Sequence, residues 1–198
     1  MHEANWIDEV GRPSPWTGLY NGKLGMWVFL ASEVMFFTGL IGSYIVLRFG
    51  YPEWPVPGTV LNIPLTGFNT FLLICSSVTM AMALSSIQHG DVGKLKKYLI
   101  ATFTLGAFFL GVQVYEYYKL LHHGFTPSVS LFGSAFYTMT GFHGFHVFLG
   151  VVNLGVITTK AFRGRYTQQM HGGVEMMGLY WHFVDLVWIV LFTIVYLI

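Results

Sequence analysis

The sequence has few charged residues and only one cysteine. Charged residues make up 10% of its 198 residues, whereas hydrophobic residues make up 54%; soluble domains carry about 25% charged residues. The nine acidic residues nearly cancel the ten basic ones, so there is no basic field of the kind that nucleic-acid binding needs. Cys75 is alone and cannot form an intramolecular disulfide. This composition predicts an integral membrane protein.

The first 22 residues also lack an apolar core region, and they contain two prolines and three acidic residues. These features do not fit a cleavable signal peptide. We therefore interpret residues 1–22 as a polar N-terminal segment, followed by a single transmembrane domain over residues 23–198.

Five apolar runs are long enough to cross a bilayer, which takes about 20 residues each. The segments between them are rich in proline, glycine or charge, as is usual for loops. The sequence therefore predicts an all-α protein, a bundle of five transmembrane helices. These helices are expected over about residues 24–47, 67–87, 95–120, 129–159 and 174–197.

The basic residues are unevenly distributed between the two sides of the predicted bundle. Eight fall on the side of the N-terminus and two on the other side. Because basic residues are enriched on the cytoplasmic side, we expect a cytoplasmic N-terminus and a C-terminus on the outer face. The eight are Arg12, Lys23, Lys94, Lys96, Lys97, Lys160, Arg163 and Arg165, and the two are Arg48 and Lys119.

The last apolar run contains a histidine and an aspartate, His182 and Asp185, three residues apart. At helical spacing these two share a face, and Trp181 and Trp188 lie along a neighbouring one. A charged carboxylate in the middle of a bilayer costs several kcal/mol unless it is paired. We therefore expect Asp185 to point into protein.

Three more polar residues lie deep inside predicted helices. Glu33 lies about 14 Å along the first helix, and the residues alone leave two roles open. It is either a carboxylate that accepts protons or contacts lipid, or a protonated glutamate that hydrogen-bonds a neighbouring helix.

His143 and His146 share a helix face. Haem or metal ligation is one role for them, but bis-histidine haem needs facing helices and metal sites need three or four ligands. Hydrogen bonding to Glu33 or Asp185 is favoured.

The remaining candidates are interpreted as interface or packing residues. Glu116 is expected to be an interfacial carboxylate within an aromatic belt at the outer end of the third helix. Glu175 opens the last helix, where the helix dipole favours an anion. Trp54, Trp181 and Trp188 are expected to be packing and interface residues. No nucleophile with its base, phosphate-binding loop or cofactor fingerprint is recognisable, so the residues predict a helical bundle with a mid-plane polar cluster and no redox centre.

Several unusual strings resemble subunit III of haem–copper oxidases, the cytochrome c and quinol oxidase family. The resemblance extends from about residue 22 to 198 and covers the last five of the seven helices of the mitochondrial-type subunit, as in the short bacterial form. The strings are Ser32-Glu-Val-Met-Phe-Phe-Thr-Gly39, Trp54-Pro-Val-Pro-Gly58, Leu61-Asn-Ile-Pro-Leu65 with Asn69-Thr70, Gln113-Val-Tyr-Glu-Tyr-Tyr118, Thr140-Gly-Phe-His-Gly-Phe-His-Val147 and Tyr180-Trp-His-Phe-Val-Asp-Leu-Val-Trp188.

The resemblance implies a non-catalytic subunit of a proton-translocating terminal oxidase in the bacterial inner membrane. Haems and copper are then expected in partner subunits, with subunit I as the main contact and subunit II and a small subunit IV as further partners. The subunit would support stability and proton uptake. A buried polar network is expected, formed by Glu33, His143, His146, His182 and Asp185. Lipid or interface contacts, with bound phospholipid, are expected at Trp54, Glu116, Lys160, Glu175, Trp181 and Trp188.

Three other functions fit parts of the pattern. The first is a subunit-III-like accessory protein of a nitric oxide reductase. The second is a free-standing transporter or proton channel built on Glu33 and Asp185. The third is a dihaem membrane cytochrome that uses His143, His146 and His182.

Overall fold

The computed structural model describes residues 21–52, 54–55, 58 and 61–198. Over these ranges the chain is helical and contains no strand. Five helices are long and apolar enough to cross a membrane, which confirms the predicted fold class. They are α1 (Asn21–Gly50), α2 (Ile63–Gln88), α3 (Val92–His122), α4 (Leu131–Phe162) and α5 (Gly172–Phe192), the last continuing into a π-helical turn over Thr193–Leu197.

Capping side chains mark where three helices begin: α2 and α3 start before the predicted apolar runs at 67 and 95, whereas α4 starts at Leu131, two residues after the predicted 129. The side chains of Asn62, Asp91 and Ser130 each accept a hydrogen bond from the backbone N–H three residues later. Such caps satisfy N–H groups that have no partner within the helix. Helix α1 starts at Asn21, and residues 1–20 of the predicted N-terminal segment lie outside the described residues.

A tight connection joins α2 to α3. Gly90 adopts a φ of +80°, a left-handed conformation that glycine tolerates best. Asp91 follows and caps α3, and the backbone N–H and the ammonium group of Lys94 lower the pKa of its carboxyl group. The short connection makes α2 and α3 an antiparallel pair.

Helix α5 lies in the middle of the bundle. In the most apolar stretch of each helix, 56% of residues are buried for α5 but only 11% for α1. Helix α5 packs against α1, α2 and α4, whereas α1 leaves large apolar side chains such as Met35 and Phe49 exposed. A surface of this kind suits lipid or neighbouring subunits.

The basic loops gather at one end of the bundle. Lys23 at the start of α1 contacts Glu175 at the start of α5, and Gln168 donates to the carbonyl oxygen of Gln88 at the end of α2. Arg48 donates to the carbonyl oxygen of Ile198 at the opposite end. The structure thus separates the two groups of basic residues, apart from Arg12, which lies outside the described residues, while the side of the membrane that each end faces remains a prediction.

Two glycines hold the indole of Trp181 in the core. A Cβ atom on Gly106 would lie 2.6 Å from Cη2 of Trp181, and one on Gly150 would lie 2.7 Å from Cζ3. The indole Nε1 donates to Oγ of Ser76 on α2 at 2.9 Å. Helices α2, α3, α4 and α5 therefore meet at this one ring.

Candidate functional site

The candidate site is a histidine–glutamate pair between α1 and α4. Nε2 of His146 lies 3.0 Å from Oε2 of Glu33, and their side chains are only 12% and 18% exposed. Phe36 and Phe37 lie beside the imidazole. The pair therefore shows that Glu33 has an interhelical hydrogen bond, one of the two roles that the sequence left open.

The second nitrogen of His146 restricts the protonation states of the pair. Nδ1 lies 2.7 Å from the carbonyl oxygen of Phe142. Because a carbonyl can only accept, Nδ1 must carry a proton. The Nε2–Oε2 contact then holds a single proton, which resides either on the carboxyl group of Glu33 or on the imidazole of His146. Both states keep the contact hydrogen-bonded, so this pair can hold one proton without rearrangement.

His182 lies in a different contact, between α5 and α2. Its Nδ1 atom is 2.6 Å from Oγ of Ser77, and its ring is partly exposed. The structure therefore joins His182 to a hydroxyl group and not directly to Glu33 or Asp185.

His143 is enclosed by aromatic rings. It is fully buried, and within the described part of the chain neither ring nitrogen has a hydrogen-bond partner. The imidazole stacks on Trp188 with ring centroids 4.8 Å apart and an interplanar angle of 26°, and Phe37 and Phe109 present their edges to it. Its neighbours make His143 part of an aromatic cluster.

Asp185 is 4% exposed. Among the residues that the structure describes, neither of its carboxyl oxygens accepts a hydrogen bond of normal geometry, although the Ser77 hydroxyl is a polar neighbour. As predicted from the sequence, Asp185 points into protein. Of the five residues expected to form one network, only Glu33 and His146 are directly hydrogen-bonded to each other.

Metal ligation finds no support in the described ranges. No group of three His, Cys, Asp or Glu side chains there could hold a metal ion. His143 and His146 lie on the same helix, and His182 bonds to Ser77.

Glu116 is buried within the chain, whereas the sequence predicted an interfacial carboxylate within an aromatic belt. It is 6% exposed, and its Oε1 accepts a hydrogen bond from Oγ1 of Thr66 at 2.9 Å. The reason is that α2 begins at Ile63, so that Thr66 in its first turn lies against the C-terminal part of α3 and reaches Glu116. The sequence does carry a signal: buried residues of α3 follow a helical period, namely Leu99, Thr102, Gly106, Phe109, Gln113, Glu116 and Leu120.

The tryptophans expected at lipid or interface contacts lie inside the bundle or are partly covered by it. Trp181 and Trp188 are almost fully buried, so they are packing residues and do not contact lipid. Trp188 Nε1 donates to Oγ1 of Thr70 at 2.9 Å. Trp54 is half-buried and packs edge-to-face between Tyr44 and Phe132.

Hydroxyl groups of α2 are the partners that the sequence interpretation missed. Thr66, Thr70, Ser76 and Ser77 all bond to side chains of α3 or α5. Thr66, Thr70 and Ser77 recur at helical spacing and, with Ser76, form one polar strip. That spacing is the signal from which an interhelical role could have been inferred.

Lys160 and Glu175 lie at the end of the bundle where the basic loops gather. Lys160 lines a groove between α1, α4 and α5, together with Met26, Phe29, Tyr166 and Tyr180. Glu175 forms an ion pair with Lys23 at 2.6 Å, and each side chain is 30% exposed. The Glu175 carboxylate therefore interacts with the Lys23 ammonium group in addition to the helix dipole.

The Lys23–Glu175 pair is expected to contribute little to stability. A double-mutant cycle with Lys23→Met and Glu175→Gln should give a coupling free energy of about 0.2–1 kcal/mol, because exposed pairs are weakened by solvent and salt. Thermal unfolding in detergent at low and high salt measures this coupling free energy. The exposed pair Asp91–Lys94 serves as the control. A coupling that does not decrease at high salt would contradict this expectation.

Together, these observations define a polytopic helical membrane protein with a polar pair inside its bundle. A family model described as cytochrome c oxidase subunit III matches residues 17–198. The chain belongs to this family, and membership places it among proteins of respiratory oxidase complexes.

Curated relatives agree with this assignment. The chain is 43% identical over 176 residues to cytochrome c oxidase subunit 3 of Thermostichus vulcanus. The aligned region covers 88% of this chain and 86% of the relative. The protein of the same name from Synechocystis is also 43% identical, covering 88% of this chain and 74% of the relative. A probable cytochrome c oxidase subunit 3 of Mycobacterium leprae is 40% identical over 177 residues, covering 89% and 87%.

Proposed function

We propose that this chain is the non-catalytic subunit III of a bacterial haem–copper terminal oxidase in the inner membrane. The observation that carries the proposal is the family match over residues 17–198 on a bundle of five helices able to span a membrane. Subunit I is the proposed main partner, with subunit II and a small subunit IV as further neighbours. Haems and copper belong to these partners, which reduce oxygen to water.

The proposed contribution of the chain is to support stability and proton uptake in its partner. The Glu33–His146 pair holds one proton in a shielded contact. The aromatic rings of Phe36, Phe37 and Phe142 adjoin the pair. His143, the next histidine on α4, is itself enclosed by aromatic rings. These surroundings favour a local proton-holding site in the proposed polar network over a conduction path.

The groove beside Lys160 supports the proposed binding of phospholipid. It lies between α1, α4 and α5, and Lys160 lines it together with apolar side chains such as Met26 and Phe29. A cation that lines an apolar groove complements an anionic lipid. Lipid bound there would cover the part of α1 that the bundle leaves exposed.

The proposal predicts that Glu33→Gln and His146→Leu reduce sustained turnover of the assembled oxidase, because each removes the shared proton. We expect normal haem spectra and a normal initial rate, followed by faster loss of activity during turnover. In a double-mutant cycle of thermal stability with Glu33→Leu and His146→Leu, the two changes should be coupled by about 0.6 kcal/mol, the average for hydrogen bonds between membrane helices, and by no more than about 1.7 kcal/mol. Thr38→Val is the control, since this hydroxyl on α1 bonds only to the backbone of its own helix.

Two results would contradict the proposed function. Affinity purification of the chain without other oxidase subunits would exclude a structural role in that complex. Proton flux through the purified chain in liposomes, abolished by Glu33→Gln, would instead establish a free-standing channel.

A further inference from the structure

Helix α5 leaves a narrow seam that the rest of the described chain does not cover. Its side chains follow one another at spacings of three, four, three and four residues, and each is at least partly exposed: Leu179, His182, Leu186, Ile189 and Thr193. Leu186 is 62% exposed and Ile189 is 41% exposed. Every other residue between Leu179 and Ile189 is buried. The outward side of α5 is therefore a single line of side chains, called the α5 seam below.

The spacing of the α5 seam suits contact with another helix. Side chains that alternate at three and four residues stay in line along a partner helix and pack into the spaces between its side chains. Helix α1 is different, because it exposes three apolar residues in succession at 27–29 and again at 34–36. A broad apolar surface of that kind is expected where lipid chains surround a helix. The narrow α5 seam has the width of one helix–helix contact.

The polar position in the α5 seam is His182, which lies deep in the membrane. At 1.5 Å per residue it is about 15 Å from Gly172, the first residue of α5, in a hydrocarbon core about 30 Å thick. Among the described residues, Nδ1 bonds to Oγ of Ser77 at 2.6 Å, and this is the one hydrogen bond of the ring. Lipid chains offer no hydrogen bond to Nε2, and ionisable side chains inside membranes almost always face protein or water. A protein group therefore suits this position better than lipid.

We propose that a transmembrane helix of a neighbouring oxidase subunit packs along the α5 seam and places an amide or hydroxyl side chain against Nε2 of His182. The hydrogen between Nδ1 and Ser77 can belong to either atom, so Nε2 either donates or accepts, and amide and hydroxyl groups fit both cases. A single polar position in an apolar seam also fixes the register of two helices. The inference rests on the proposed function and adds the surface through which the chain meets its partner.

A photoreactive p-benzoylphenylalanine at position 186 of the assembled complex tests which molecule covers the α5 seam. We expect a link to one transmembrane segment of another oxidase subunit, identified by peptide mass spectrometry. The same probe at Ile100, which is 44% exposed on α3, should give lipid adducts.

Three results of this experiment would overturn the inference and leave the proposed function intact. They are lipid adducts alone at position 186 in a complex that keeps its other subunits, a link to a second copy of this chain, and a link to the same segment from both positions. A wild-type chain that purifies without other oxidase subunits would instead contradict the proposed function itself.

Substitutions of His182 separate a partner contact from the internal bond to Ser77. Asparagine places its amide near the position of Nδ1, glutamine reaches the position of Nε2, and leucine removes both. We expect His182→Leu and His182→Asn to weaken retention of the neighbouring subunit about threefold, the equivalent of one hydrogen bond between membrane helices, and His182→Gln to keep it. Ile189→Ala should also weaken retention, whereas the matched Ile100→Ala on α3 should not.

The measurement is the amount of neighbouring subunit that co-purifies with the chain as the detergent concentration is raised. Rescue by His182→Asn but not by His182→Gln would assign the imidazole to Ser77 alone and overturn the inference. Unchanged retention in all three His182 variants would overturn it as well.

Discussion

Replacement of Gly106 and Gly150 by alanine is expected to cause the largest loss of stability. Each new Cβ atom would lie within 3 Å of the Trp181 indole. The ring cannot move aside, because it is fully buried and its Nε1 atom is held by Ser76. Overpacking of this kind costs about 1–3 kcal/mol per site. The two costs should add incompletely, since both substitutions displace the same ring.

The free energy of unfolding in detergent and the yield of assembled complex measure this effect. Gly111→Ala is the matched control, because a Cβ there meets nothing within 4 Å and alanine favours a helix over glycine. In a Trp181→Leu background, the alanine substitutions should cost much less. Equal costs in both backgrounds would show that the glycines do not act through Trp181.

Thr66→Val is expected to give the second-largest effect. Valine keeps the shape of threonine but removes the hydroxyl group that bonds to Glu116. The buried carboxyl group then loses a partner, at a cost of about 1–3 kcal/mol. Because Tyr196 also lies within hydrogen-bonding range of Glu116, we expect the lower half of this range. Denaturant unfolding in micelles measures the change.

Two comparisons separate the loss of this bond from a general threonine effect. Thr66→Ser keeps the hydroxyl group and should retain most of the stability. Thr104→Val removes a hydroxyl group that bonds only to the carbonyl oxygen of Ile100, so it should cost little. If Thr66→Val proved as harmless as Thr104→Val, Glu116 would not depend on this contact.

Hydropathy predicted the number of helices because a membrane span requires about 20 apolar residues. It did not predict where the helices end. Asn62 and Asp91 are polar residues outside the apolar runs, yet their caps extend α2 and α3 beyond them. Glu116 shows the same limitation, since hydropathy places a residue along a helix but does not say which neighbouring helix covers it.

The site was predicted in part. The sequence placed Glu33 and His146 within predicted membrane-spanning helices, and a hydrogen bond between them was one of the predicted roles. Their pairing depends on the packing of α1 on α4, which helical periodicity alone does not determine. The separation of His143 from this pair has the same origin, because its neighbours Trp188 and Phe109 come from two other helices.

The central position of α5 has a consequence for biosynthesis. Helix α5 follows the other four in the sequence, yet it supplies Trp181 and Trp188, whose N–H groups bond to Ser76 and Thr70 of α2. The hairpin of α2 and α3 is local and can pair as soon as it leaves the translocon. The remaining interior must stay open to lipid until α5 is inserted, so a ribosome that stalls before residue 172 would leave a membrane-embedded intermediate without its core.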